Sequence, residues 1–157
     1  MKIRLCSVGK PHEAYVKAGI EDFTKRIGNY FPVQWQLIQP PKQAASLSEQ
    51  ALKKAEAALI LQTLDKDDVL ILLDERGKSL NSPELAELLQ KKANESARTL
   101  VFLIGGAFGV DESVMQRAQM SWSLSRLVFP HMLVRLILAE QIYRACTILR
   151  NEKYHHI

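Results

Sequence analysis

A glycine-rich turn directly after an apolar run is the first feature of this sequence with a chemical meaning. Gly105, Gly106 and Gly109 follow the strand-like residues 100–104. Because glycine has no β-carbon, the backbone there can turn sharply and approach a flat ligand closely. The spacing matches neither a dinucleotide-binding fold nor a phosphate loop, which disfavours an NAD enzyme and a nucleotide hydrolase. A tight strand-to-helix turn that binds no ligand is the competing interpretation.

Residues 123–131 carry a second set of groups that could bind a ligand. Their sequence, Ser-Leu-Ser-Arg-Leu-Val-Phe-Pro-His, combines two hydroxyls, an arginine and an apolar triplet with Pro130, which fixes the chain before the final helix. In an extended conformation the backbone could bind the edge of a purine, with Leu127 and Phe129 as apolar walls. The alternative is a last buried strand followed by a helix that begins at the proline.

Polar side chains elsewhere leave similar alternatives open. Asp74 follows an apolar run and could accept a hydrogen bond from a ligand or merely cap a turn. Arg144 lies four residues after Glu140, which favours a helical ion pair, although contact with an RNA phosphate or base is the other interpretation. The tail with Tyr154 and His155 could fold back over a ligand or partner, or fray as chain ends commonly do.

The excess of basic charge is confined to the last third of the chain. Residues 1–112 hold 15 basic and 15 acidic side chains, whereas residues 113–157 hold six basic and two acidic ones, which accounts for the net charge of +4. This asymmetry predicts a phosphate-rich partner at that end. Cations that gather near helix C-termini would explain Arg150 and Lys153 but not Arg126 or Arg135.

Composition excludes several classes of protein. With 157 residues, 47% hydrophobic and 24% charged, the chain is predicted to be one globular domain, 1–157, and neither disordered nor fibrous. No apolar run reaches the roughly 20 residues of a membrane span, and charges interrupt the N-terminal residues, so we expect a cytoplasmic protein without a membrane partner. Cys6 and Cys146 stand alone, which predicts no metal site and two small buried thiols.

Apolar runs alternate with segments of helical period, which predicts an α/β fold with a mostly parallel sheet and helices on both faces. The predicted strands are residues 3–8, 33–38, 69–73, 99–104 and 121–127. Ligands usually bind such sheets beyond the carboxyl ends of the strands. Residues 74–80, 105–110 and 126–131 are the three loops predicted to lie there.

Two of the predicted helices have informative sequences. The third has a clear start, with Asn81 or Ser82 as cap and Pro83 in its first turn. The last helix, about residues 131–149, is apolar on more than one face. Because one sheet face cannot cover all of those side chains, the sequence predicts a second subunit against this helix.

These segments together resemble the RlmH family of the SPOUT superfamily, whose members are methyltransferases of large-subunit ribosomal RNA. The resemblance runs the length of the chain, from Val8-Gly9-Lys10 through Leu73-Asp74-x-x-Gly77-Lys78 to the tail. Its most specific part comprises Gly105-Gly106-x-x-Gly109, Ser123-Leu124-Ser125, Phe129-Pro130-His131, Arg135, Glu140-Gln141-x-Tyr143-Arg144-Ala145 and Tyr154-His155.

The resemblance implies a trefoil-knotted C-terminal region, S-adenosyl-L-methionine as cofactor and a homodimer. It implies methylation of N3 of a pseudouridine in helix 69 of 23S rRNA within the assembled 70S ribosome. Topology rules alone would argue against a knot. By matching position, the implied catalytic residues are Arg144, Tyr154 and His155. The implied cofactor-binding residues are Leu73, Gly105, Leu124, Ser125, Arg126, Leu127, Val128 and Phe129.

Methyl transfer from a sulfonium is an in-line displacement, so the protein has mainly to hold the methyl carbon and the attacking nitrogen in line. A nearby cation favours the deprotonated imide nitrogen, and we assign that role to Arg144. His155 could take the proton or bind RNA, and Tyr154 could stack on the base or hydrogen-bond to it. The alternatives are a non-enzymatic ribosome-binding factor and a SPOUT methyltransferase that acts on tRNA.

Overall fold

A computed structural model describes residues 1–156 and contains five strands and five α-helices. The strands are β1 Lys2–Val8, β2 Val33–Ile38, β3 Val69–Ser79, β4 Thr99–Ile104 and β5 Met120–Ser123. The helices are α1 Ala14–Ile27, α2 Glu49–Thr63, α3 Ser82–Asn94, α4 Glu112–Arg117 and α5 His131–Leu149. A short 3-10 turn at Ala44–Ser46 precedes α2.

The five strands form one sheet in the order β2-β1-β4-β3-β5, and every neighbouring pair is parallel. This confirms the predicted α/β class and the parallel sheet. Because all strands run the same way, their carboxyl ends lie along one edge, where the segments after β1, β3, β4 and β5 come together.

Side chains of the strands alternate between two apolar layers. On β4, Leu100, Phe102 and Ile104 pack in the layer that contains α3 and α5, whereas Val101 and Leu103 pack in the layer that contains α2 and α4. Helices therefore cover both faces of the sheet, as the continuous apolar runs of a parallel sheet require. None of the helices in residues 1–156 is long and apolar enough to cross a membrane.

Several local predictions are confirmed. Asn81 caps α3 in a capping box, because its side chain accepts from the Glu84 amide while the Glu84 carboxylate accepts from the Asn81 amide. Both cysteines are buried, and burial raises the pKa of the Cys6 thiol to about 11 and that of Cys146 to about 12. Neither thiol is therefore a nucleophile at neutral pH.

Two predicted boundaries at the carboxyl edge are wrong. The predicted strand 121–127 ends at Ser123, because the chain leaves the edge of the sheet there. The predicted loop 74–80 is instead mostly strand, since β3 continues to Ser79 and pairs with β5 a second time after a register shift. Gly77 permits this second pairing, because a β-carbon there would lie 2.5 Å from the Ser121 carbonyl carbon.

The surroundings of α5 correct part of the argument for a second subunit. The helix spans the predicted residues and lies between α1 and α3, and no position within it is fully exposed. Neighbours within one chain thus cover much of the apolar surface that the sequence assigned to a partner. Leu127 and Val128 in the preceding segment remain 70% and 81% exposed.

We predict that Gly77→Ala lowers the free energy of unfolding by about 1 to 3 kcal/mol, because the added methyl group forces β3 and β5 apart. Denaturant unfolding measures this change. Ser79→Ala is the control, since Ser79 is exposed at the end of the same strand and the substitution adds no atom. Equal stability of Gly77→Ala and the parent protein would contradict the role of Gly77 in the pairing of β3 with β5.

Candidate active site

A cleft of about 660 Å³ lies at the carboxyl ends of β3, β4 and β5 and beside the start of α5. It is a mixed surface of glycine backbone, apolar side chains and a few charges. The residues that line it are Lys53, Leu73, Asp74, Glu75, Arg76, Ile104, Gly105, Gly106, Ala107, Phe108, Gly109, Val110, Trp122, Leu124, Ser125, Leu127, Val128, Phe129, His131 and Val134.

The three glycines of the turn after β4 are required for different physical reasons. A β-carbon on Gly105 would lie 2.7 Å from a methyl group of Val110, and one on Gly106 would lie 2.5 Å from a carboxylate oxygen of Glu56. Gly109 adopts a φ of +85° and donates its amide to the Gly106 carbonyl at 3.1 Å. The turn is therefore tightly packed underneath and offers bare backbone to the cleft.

The segment after β5 is shaped by its serines. The Ser123 hydroxyl donates to the Ser125 carbonyl at 3.0 Å, and the Ser125 hydroxyl accepts from the Leu127 amide at 2.9 Å. These local bonds hold the backbone in an irregular path across the mouth of the cleft. Leu127 and Val128, which both line the cleft, are nevertheless mostly exposed to solvent.

Seven of the eight residues predicted to bind a cofactor line this cleft, and Arg126 does not. The seven are Leu73, Gly105, Leu124, Ser125, Leu127, Val128 and Phe129. The sequence did not indicate Lys53, which enters from α2, because nothing in an amphipathic helix reveals which polar residue faces a distant loop. Trp122 was also missed, since its burial in a strand is the ordinary expectation for tryptophan.

Two of the four charged side chains that line the cleft, Asp74 and Arg76, are paired with each other. Asp74 accepts from the Arg76 amide at 2.8 Å and from the Arg76 guanidinium at 3.1 and 3.2 Å. The Arg76 hydrogen bonds lower the pKa of Asp74. Asp74 therefore bonds locally to Arg76 while it also lines the cleft.

A buried arginine joins the start of α5 to the end of β1. Arg135 is 0% exposed and has no carboxylate among its hydrogen-bond partners. Its guanidinium donates to the Ser7 hydroxyl at 3.0 Å, the Lys10 carbonyl at 2.8 Å and Nδ1 of His12 at 3.1 Å. Gly9 lies against it, since a β-carbon there would sit 3.1 Å from Nη2 and the backbone φ is +144°. Burial lowers the pKa of Arg135.

The same arginine fixes the state of His131, which lines the cleft. Nε2 of His131 lies 2.8 Å from the Ser7 hydroxyl and 3.4 Å from Nη2 of Arg135. Arginine can only donate hydrogen bonds, so Nε2 carries the lone pair and the ring proton resides on Nδ1. Burial and the Arg135 charge both lower the pKa of His131. The ring is therefore a neutral imidazole at pH 7.

The three predicted catalytic residues also come together, but away from the cleft. Glu140 accepts from Nε of Arg144 at 3.0 Å and from the Tyr154 hydroxyl at 2.9 Å. Arg144 donates to Nδ1 of His155 at 3.3 Å, and its guanidinium lies 4.7 Å from the centre of the Tyr154 ring. Burial, then the Glu140 hydrogen bond, raises the pKa of Tyr154. The tail is thus folded onto α5 rather than frayed.

Aromatic rings and arginines continue this cluster toward α1. Tyr143 lies between Tyr154, at 4.7 Å between ring centres, and Phe23, at 5.9 Å. Arg26 lies over Tyr143 at 5.5 Å, and Arg150 lies over Tyr30 at 5.0 Å. All four arginine–aromatic contacts found in residues 1–156 belong to this strip. Stacked rings and guanidinium groups are typical of surfaces that bind unpaired bases.

The cleft and the Arg144 cluster are separated along α5. Val134 is the last helical residue that lines the cleft, and Arg144 follows ten residues later. At 1.5 Å per residue this places them roughly 15 Å apart along the axis. None of Arg144, Tyr154 and His155 lines the cleft of their own chain. Within residues 1–156 no group of three or more potential metal ligands is found.

Comparisons with known proteins agree on one family. The family model described as predicted SPOUT methyltransferase matches residues 1–155. Proteins named ribosomal RNA large subunit methyltransferase H from Cytophaga hutchinsonii and Flavobacterium johnsoniae are 46% and 45% identical over 156 residues. These matches cover 99% of this chain and 100% and 99% of the relatives.

A solved structure shares the fold at low sequence similarity. The crystal structure of a probable methyltransferase from Bordetella pertussis Tohama I superposes with a TM-score of 0.58 at 13% identity. The match covers 92% of this chain and 94% of that one. At this identity the likeness supports the fold alone.

We predict that His131→Gln weakens the pH dependence of stability between pH 7 and pH 5. In the parent protein the folded state resists protonation of His131 while the unfolded state, with an ordinary pKa of about 6.5, accepts it. The free energy of unfolding therefore falls as the pH falls below 6.5, and this contribution is lost in the variant. Urea unfolding at several pH values measures it, with exposed His156→Gln as control. An unchanged slope would disprove the neutral assignment.

Proposed function

The chain belongs to the SPOUT methyltransferase family, and we propose that it transfers a methyl group from S-adenosyl-L-methionine to N3 of a pseudouridine in helix 69 of 23S rRNA. The relatives named above are ribosomal RNA methyltransferases by name, which supports ribosomal RNA as substrate. We propose further that the substrate is the assembled 70S ribosome in the cytoplasm and that a homodimer is the active form.

The residues of the cleft fit the proposed cofactor. Its volume of about 660 Å³ is in the range of small-ligand pockets. The glycine turn supplies backbone groups at close range, since Gly105 and Gly106 have no room for a β-carbon on their packed sides. Leu73, Gly105 and residues 124–129 would hold the adenosyl group through backbone contacts, with Arg126 contributing no side chain to the cleft. When bound, the cofactor supplies an electrophilic methyl group on a sulfonium.

The separation between the cleft and the Arg144 cluster is the observation that carries the dimer proposal. Methyl transfer requires the donor and acceptor atoms to lie at near contact, roughly 3 Å apart, whereas the two sets of residues lie roughly 15 Å apart along one helix. A second subunit that places its own Arg144 cluster beside the cleft removes this conflict. The exposed Leu127 and Val128 at the mouth of the cleft supply apolar surface for such a contact.

Side chains of the Arg144 cluster would then act on the pseudouridine. The Arg144 guanidinium favours the deprotonated form of N3, and Glu140 orients both Arg144 and Tyr154. Tyr154, with its raised pKa, remains a hydroxyl at neutral pH and serves to stack on the base or donate to it. His155 can take the N3 proton only after Arg144 turns from Nδ1 of His155 toward the nucleotide. Nucleotide binding would therefore free His155 to act as the general base.

The strip of arginines and aromatic rings supports RNA as the ligand of this end. It continues from Tyr154 through Tyr143 to Phe23 and Tyr30, so bases beside the target have rings on which to stack. Arg26 and Arg150 supply the positive charge. Of the basic residues after residue 112, Arg144 and Arg150 lie in this strip, where a phosphate backbone would pass in this proposal, whereas Arg135 is buried.

The path of the chain supports the proposed trefoil knot. After β5 at the edge of the sheet, residues 124–130 cross the carboxyl ends of β3 and β4 before His131 meets Ser7 at the end of β1. We propose that the knot forms at this crossing, where residues 124–130 pass the turn formed by Gly105–Val110. Chains rarely thread their loops. The proposed knot therefore rests on membership of the SPOUT family as well as on the path of the chain.

The proposal is tested by offering a radiolabelled methyl donor to 70S ribosomes, free 23S rRNA and tRNA in parallel. We predict label in 23S rRNA from ribosomes, and a fall of about a hundredfold or more in rate for Arg144→Ala, because loss of one group that stabilises a developing anion typically costs two to three orders of magnitude. Donor binding, followed by calorimetry, should persist in that variant. Label in tRNA alone would reject the substrate, and absence of saturable heat would favour a non-enzymatic ribosome-binding factor.

A second prediction separates one-chain from two-chain active sites. Arg144→Ala and Gly105→Val subunits carrying different tags are expressed together and purified through both tags. If each site combines the cleft of one subunit with the Arg144 cluster of the other, one site of the heterodimer is intact and about half of the parent rate returns. Both homodimers are the controls and should be inactive. A heterodimer as inactive as its parents would show that cleft and cluster act within one chain.

A further inference from the structure

Trp122 holds a buried hydrogen-bond donor that no atom of residues 1–156 satisfies. The residue lies on β5, is 3% exposed and lines the cleft. Its indole Nε1 is buried and has no hydrogen-bond partner among residues 1–156. The other tryptophan of the chain behaves in the usual way, since Nε1 of Trp35 donates to the Thr24 hydroxyl at 2.9 Å.

An indole N–H can only donate, and folded proteins seldom leave such a group buried without an acceptor. The ring has little freedom to reach one elsewhere. Phe102 packs edge-on against it at 5.9 Å between ring centres, and the Trp122 backbone amide lies against Gly77 of β3. The position of the N–H group is therefore set by the packing of the sheet and not by a partner for the nitrogen.

From these observations we propose that the Trp122 indole N–H is a hydrogen-bond donor reserved for the ligand of the cleft. The acceptor is a neutral nitrogen or hydroxyl oxygen of the adenosyl group, so this inference rests on the proposed cofactor. Trp122 would then be a positioning and specificity residue. A donor-only group in a closed wall selects a ligand that presents an acceptor there and disfavours one that presents an N–H.

Two-dimensional NMR of protein labelled with 15N-tryptophan tests the contact directly. The chain has two indole N–H signals, which Trp35→Phe and Trp122→Phe assign. On addition of S-adenosylhomocysteine, the unreactive demethylated cofactor, we expect the Trp122 indole proton to move downfield and exchange more slowly while the Trp35 signal stays in place. A Trp122 signal that is unchanged at saturating ligand would overturn the inference.

Affinity provides the second measurement. Trp122→Phe is expected to weaken S-adenosylmethionine binding about tenfold or more, because a buried hydrogen bond to the ligand is lost. Trp35→Phe is the matched control and should leave the affinity unchanged. Should Trp122→Phe fail to fold, benzothienylalanine incorporated in a Trp35→Phe background replaces the N–H by sulfur with the ring shape retained. Unchanged affinity in a folded variant would refute the role, whereas no binding by the parent protein would instead refute the proposed cofactor.

Discussion

The bond between the end of β1 and the start of α5 is the interaction on which the rest of the site depends. After β5 the chain must cross two neighbouring strands before it can return to the middle of the sheet, and Ser7, His131 and Arg135 hold the far end of that crossing. Arg135 is fully buried and hydrogen-bonds to no carboxylate, so its direct partners are neutral dipoles, and Glu13 is the carboxylate that acts on its charge from a distance. Burial of this kind is costly unless each N–H finds an acceptor, and here the Lys10 carbonyl, Ser7 and His12 supply them.

Because the start of α5 is fixed, the helix sets the distance between the cleft and the Arg144 cluster. Its first turn borders the cleft, whereas Glu140 and Arg144 lie in its middle and second half. Within one chain the cleft and the Arg144 cluster therefore cannot approach each other without unwinding the helix. The C-terminal tail is fixed in the same way, since Glu140 accepts hydrogen bonds from both Arg144 and Tyr154. The groups proposed to act on RNA are therefore ordered before any RNA is bound, which lowers the entropic cost of binding.

Much of the fold followed from the sequence because the determining signals are local. Apolar runs of strand length and the Asn81 capping box depend on near neighbours, and the structure confirms them. The two errors at the carboxyl edge depend on contacts between distant segments. The fit of Gly77 against Ser121 extends β3, and the departure of the chain after Ser123 is set by its bond to β1, neither of which any window of sequence reports. For the same reason Lys53 and Trp122 were not predicted at the cleft, whereas the resemblance implied the contiguous residues 124–129, all of which line it except Arg126.

The electrostatics of the two regions differ in a way that suits two different ligands. Beside the cleft, Asp74 and Arg76 bind one another, and His131 is neutral. The rest of the cleft wall is glycine backbone and apolar side chains, with the buried Trp122 indole among them and with Lys53 and Glu75 as the other charges. The backbone and apolar part of this wall suits an uncharged planar group. Around Arg144, by contrast, guanidinium groups stack on rings at a surface that water reaches, where a polyanion can be bound without burying its charge. The cleft proposed for the nucleoside and the cluster proposed for RNA therefore lie roughly 15 Å apart along one helix, each with the electrostatics that its proposed ligand needs.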